Sequence, residues 1–118
     1  MKLAALLLTL LPTMASAQDE AAVGTGAILR GLEKVSGDIV DMTLRPGEEA
    51  DIGPLTVTLN ECRYPLGDPA ADAFAFLTIR DESEPQPIFS GWMVASSPAL
   101  NALDHPRFDV WVLRCSTE

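Results

Sequence analysis

Positive charge, histidine, cysteine and tyrosine are all scarce in this chain. Its 118 residues hold eight Lys and Arg against seventeen Asp and Glu, with one His, two Cys and one Tyr. So few basic residues provide no cationic footprint, which argues against binding to nucleic acid or to an anionic membrane surface. One His and two Cys are too few for a closed zinc site, and their spacing matches none of the usual ligand patterns. The acidic stretches Asp68 to Asp72 and Asp81 to Glu84 lack the alternating oxygen ligands of a calcium loop. No Gly-rich turn leads into a helix to cradle a phosphate. Neither a metal nor a cofactor is expected, and no internal repeat or low-complexity tract is present.

Long hydrophobic runs are missing as well. The apolar run from Leu3 to Leu11 is well short of the ~18 to 20 residues that span a bilayer, so stable membrane insertion is not expected. Lys2 precedes this run, and Pro12 and Ala15-Ser16-Ala17 follow it. That is the three-part layout of a secretory signal peptide, residues 1–17, cleaved after Ala17. The remaining 101 residues suit one domain and carry a net charge of −10. The acidic residues are scattered, as on a solvated surface.

Export changes the reading of the two cysteines. In a cytosolic enzyme they would suggest redox or metal chemistry, but in an oxidising compartment the simplest reading is one disulfide, Cys62 to Cys115. It would close a loop of about fifty residues, worth on the order of 4 kcal/mol by the chain-entropy argument. In a domain of this size that can decide whether the chain stays folded.

Along the chain, residues 18–26 are small, acidic and without apolar period, and read as a flexible leader to a single β-rich domain at 27–118. Ala27 to Lys34 and Ile39 to Leu44 predict two strands around Ser36-Gly37. Arg45-Pro46-Gly47-Glu48 has the Pro and Gly of a type II turn. Leu55, Val57 and Leu59 alternate with Thr56, Thr58 and Asn60 as in a half-buried strand. Continued strictly, that alternation puts Cys62 on the threonine face, so either a bulge intervenes or that face is covered locally. Ala73 to Arg80, apolar on both faces, predicts a central strand. Further strands are predicted at Ile88 to Val94 and Phe108 to Cys115. Between them Ser97 can cap and Pro98 can open a two-turn helix, which His105-Pro106 ends. The pattern predicts a mainly β fold: a compact antiparallel β-sandwich or partly closed barrel with one short helix near 97–103.

Two constellations bear on chemistry. Ser96 or Ser97 with His105, and Asp104 or Asp109 behind it, is the one set that could make a small serine hydrolase. Against it, Ser before Pro is a routine helix cap, and no Gly-x-Ser-x-Gly turn presents a nucleophile. Trp92 and Trp111 could stack on a ligand, but tryptophans inside apolar strands of a small domain usually belong to the core.

The run Phe89-Ser90-Gly91-Trp92-Met93-Val94-Ala95-Ser96-Ser97-Pro98-Ala99-Leu100, then His105-Pro106 and Asp109-Val110-Trp111-Val112-Leu113-Arg114-Cys115, resembles the bacterial family known as domain of unknown function 2155. The resemblance runs from about Ala27 to Cys115 and implies an exported envelope protein of Gram-negative bacteria. It implies no activity and carries over no catalytic residue. Together these readings favour a periplasmic, non-enzymatic binding or accessory module with an envelope protein as its partner. Its expected contact surface is Trp92, Ser96, Ser97, Asn101 and His105, where a loop-rich stretch adjoins two apolar strands. The alternatives are the small hydrolase and a purely structural envelope stabiliser.

Overall fold

The computed structural model describes residues 4–12 and 20–118. Eight strands run in chain order: β1 (Ala21–Val23), β2 (Gly26–Glu33), β3 (Ile39–Leu44), β4 (Glu49–Ile52), β5 (Leu55–Pro65), β6 (Phe74–Asp81), β7 (Phe89–Val94) and β8 (Phe108–Ser116). They form two antiparallel sheets with no closed barrel. The larger sheet has the order β1-β5-β6-β7, with β4 also paired to β5, and the smaller has the order β3-β2-β8.

Period-two patterning drives the two sheets together. Leu55, Val57, Leu59, Ala75, Leu77 and Ile79 point inward from the larger sheet, and Leu29, Met42, Val110 and Val112 from the smaller; all are buried. Each fully buried aliphatic side chain contributes roughly 1.5 to 3 kcal/mol relative to exposure. The Arg45 to Glu48 turn forms as its residues predict: Gly47 has φ +87°, and the Glu48 amide donates to the Arg45 carbonyl at 2.9 Å.

A bulge in β5 answers the question raised by Cys62. The register with β6 shifts between Leu59 and Glu61, so Asn60 is the extra residue and Cys62 returns to the core face, fully buried. There it is bonded to Cys115 of β8, with the two Cα atoms 5.7 Å apart. The bond therefore ties one sheet to the other.

Two expectations are corrected. Within the expected leader 18–26, Ala21–Val23 is a strand on the edge of β5, and Gly26 opens β2. The crossing between them is tight: the Gly24 amide donates to the Cys62 carbonyl and the Thr25 amide to the Ser116 carbonyl. Backbone pairing holds this stretch, which an apolar period could not reveal. The helix near 97–103 is only a 3-10 turn at Pro98–Leu100, and Ser97 makes no side-chain cap. Tertiary contacts pull the segment out of helix, because Leu103 is buried in the core while Asn101 is extended and its amide donates to the Trp92 carbonyl at 3.0 Å. Two turns are too few to resist such contacts, since helix nucleation is costly.

Among residues 4–12, chain is exposed and without regular structure. The expected cleavage site after Ala17 lies outside the described residues. No described helix is long and apolar enough to cross a membrane.

Candidate functional site

The outward face of the larger sheet changes character along its length. Where β5 and β6 begin and end near Thr56, Thr58, Thr78 and Arg80, it is polar. Toward the disulfide it becomes aromatic, because β6 alternates small residues inward (Ala73, Ala75) with large ones outward (Phe74, Phe76). The register sets Phe76 beside Trp92 and Phe74 beside Val94 of β7. The rings of Phe76 and Trp92 meet edge to face with centroids 5.3 Å apart, and the Arg63 guanidinium lies 5.9 Å from the Trp92 ring. Arg63 also pairs with Glu61, so the patch carries little net charge.

Neither tryptophan belongs to the core. Trp92 is 38% exposed, and Trp111 points outward from β8 and is half-buried. Between the core and the ligand-stacking readings of the two tryptophans, strand register removes the core one, because Met93 and Val110 occupy the inward positions beside them.

The five residues expected to form one surface are divided. Trp92 and Asn101 are joined through the Asn101 side chain. Ser96 turns toward the end of β6 nearer the disulfide: its hydroxyl donates to Asp72 Oδ2 at 2.7 Å and its amide to Asp72 Oδ1 at 3.0 Å. Burial works to raise the Asp72 carboxyl, but the Ser96 hydroxyl and the amides of Ala73 and Ser96 outweigh it and hold it below the ordinary aspartate value. Ser97 lies beyond, in the turn, with its carbonyl accepting from the Leu100 amide.

His105 sits at the opposite end of the sandwich. Its Nδ1 accepts from the amides of Arg107 and Phe108, both at 3.0 Å, and its Nε2 lies 3.7 Å from Asp81 Oδ2. Asp81 is held below its ordinary value first by the amide and hydroxyl of Ser83, against burial, with a further contribution from His105. Asp72 and Asp81 flank opposite ends of β6, roughly 30 Å apart at about 3.3 Å per residue. The Ser96 and His105 side chains are therefore not neighbours, and each is engaged by its own carboxylate. The nucleophile and base of the hydrolase reading do not meet.

Two hollows complete the surface. A groove of about 380 Å³ runs between Pro98, Ala99 and Ala102 on one side and Asp109, Val110 and Trp111 on the other. A cleft of about 280 Å³ opens between the sheets beside Ile39, Val40, Pro54 and Phe108. Among the described residues no group of three or more His, Cys, Asp or Glu is placed to hold a metal ion.

The features assemble into a disulfide-stapled β-sandwich with an aromatic outer face. Residues 27–115 match the family described as an uncharacterized protein conserved in bacteria, DUF2155, and the chain belongs to that family. It is 28% identical over 94 residues to an uncharacterized protein of Rickettsia prowazekii, a match covering 77% of this chain and 61% of that relative. The chain thus spans about three-fifths of the relative's length. No solved structure matches.

Arg63, Phe74 and Phe76 were not identified from the sequence as companions of Trp92. The clue was the alternation Ala73-Phe74-Ala75-Phe76, in which the smaller residue of each pair faces the narrow interior.

Proposed function

We propose that this protein is an exported, periplasmic, non-enzymatic binding module of the Gram-negative envelope, and that it engages an envelope protein through the Trp92 face. The observation that carries the reading is the outward aromatic set Phe74, Phe76 and Trp92, crossed by Arg63. An antiparallel sheet usually gives its solvent face to polar residues, as this one does at its threonine end. Trp and Arg are the residue types most enriched at binding hot spots, where they combine large apolar area with hydrogen-bonding capacity. The inter-sheet disulfide and the apolar Leu3 to Leu11 run support an oxidising, exported location. The distance between Ser96 and His105 and their separate partners speak against hydrolysis.

Photo-cross-linking residues placed at Thr78 and Ser90, which flank the aromatic set on the same face, test the reading in living cells. The expected result is one discrete protein adduct from both positions, lost in Trp92→Ala and in Arg63→Ala but retained in His105→Ala. An adduct insensitive to Trp92→Ala, or none from either position, would overturn it.

A further inference from the structure

We propose that the outward face of the smaller sheet is a self-association surface on which a second copy of this chain docks. The register arranges this face as a grid. Leu32 lies between Ile39 and Asp109, Arg30 lies between Asp41 and Trp111, and Ile28 lies between Thr43 and Arg114. The central strand of a solvated antiparallel face would be polar, yet here it reads Ile28, Arg30, Leu32, with Trp111 beside it. Strands apolar on both faces are characteristic of sheets covered on both sides. The inward face is covered by the larger sheet; beside the outward one the Pro98 to Ala102 segment stands near Asp109 and Trp111 at the β8 edge, and among the described residues no sheet lies over Ile28, Arg30 and Leu32.

Charge selects the occupant. The chain has a net charge of −9, so two copies repel across most of their surfaces. This face is different: Arg30 and Arg114 balance Asp41 and Asp109, making it a neutral place where two acidic copies can meet. Arg30 and Asp41 satisfy each other within the chain, with Nε 2.8 Å from Oδ1. Asp109 and Arg114 have no ion-pair partner among the described residues, and they stand at opposite ends of the grid. A two-fold axis lying between the faces and crossing the strands at the level of Arg30 brings Asp109 of each copy over Arg114 of the other. It also sets Leu32 over Ile28 and one Trp111 beside its mate. Such a contact is isologous and closes at two copies.

Three strands spaced about 4.8 Å and eight residues rising about 3.4 Å each give a face on the order of 15 by 27 Å. That is about 400 Å² per copy, roughly half the usual share of a specific interface, so the dimer is weak and reversible. It leaves both Trp92 faces outside, on opposite surfaces of the pair. The inference stands independently of what binds there.

Sedimentation equilibrium of the disulfide-bonded protein from about 1 to 300 μM tests it. The expected result is a monomer–dimer equilibrium that Asp109→Arg and Arg114→Asp each weaken at least about tenfold, with the double exchange restoring it to within about threefold. Asp109 and Arg114 are too far apart on β8 to pair within one chain, so recovery has no explanation inside the monomer. Far-UV circular dichroism confirms that each variant folds. A wild-type protein that is monomeric throughout, or a dimer unaffected by either reversal, overturns the proposal. So does a Trp111-dependent complex with a different protein in place of the dimer.

Discussion

The two ends of the sandwich are closed by different chemistry. At one end, Cys62 and Cys115 join the sheets covalently, and the chain crosses between them at Gly24, where a Cβ would lie 2.9 Å from the Ser116 carbonyl oxygen and 3.0 Å from Cys115 Cβ. At the other end closure is noncovalent. His105 accepts two amides, Lys34 donates to the His105 carbonyl at 2.8 Å, Arg107 pairs with Glu33, and the Phe108 ring packs onto Gly53. The first end depends on redox conditions, whereas the second depends on hydrogen bonds and packing. Neither is spare, because a domain of this size has few kcal/mol to lose.

Breaking the covalent end has the largest expected effect. Cys62→Ser with Cys115→Ser lowers stability by on the order of 4 kcal/mol, read as the shift of a urea midpoint in oxidised wild type against the variant. Next is Gly53→Ala at the opposite end. Gly53 has φ +55° and an added Cβ would overlap the Phe108 ring, so a loss of about 2 to 3 kcal/mol is expected in the same measurement. His105→Ala leaves the Arg107 and Phe108 amides without their acceptor and costs about 1 to 2 kcal/mol. His105→Asn recovers part of this, because an Asn side-chain oxygen can accept amides two and three residues ahead. Equal destabilisation by Ala and Asn would show that ring packing, not the acceptor, holds this end.

Acid produces the smallest effect, and it acts on both ends. The carboxyls of Asp72 and Asp81 are held below their ordinary values, so the stability they contribute is present in full above the ordinary aspartate range. It is lost as pH falls through that range toward the lowered folded-state values. Urea midpoints between about pH 5 and pH 2 should fall, and Asp72→Asn should flatten that slope while lowering the midpoint at neutral pH. A slope unchanged by the substitution would remove Asp72 from the account.

Much of this frame was legible in the sequence, and the failures have physical causes. The β5 alternation, the Pro46-Gly47 turn and the pairing of two cysteines are local or countable signals, and each has its counterpart in the fold. The conflict at Cys62 left a bulge and a locally covered face as alternatives, and the register shift between Leu59 and Glu61 decides for the bulge. The strand at Ala21 to Val23 left no mark, because its hold is backbone pairing to β5. The helix after Ser97 had the right residues, but Leu103 is buried in the core and Asn101 reaches back to Trp92. The expected surface failed for a related reason. Neighbours in sequence between Trp92 and His105 span the width of the sandwich, while Phe76 and Arg63, distant in sequence, lie beside Trp92 through register alone.

If the Trp92 face exists for binding, its aromatic side chains should matter more to partner capture than to folding. Trp92→Ala, measured by urea unfolding and by cross-linking from Ser90 in the same preparation, separates the two. The account predicts a midpoint within about 1 kcal/mol of wild type and loss of the adduct. A strongly destabilised protein that still forms the adduct would contradict it.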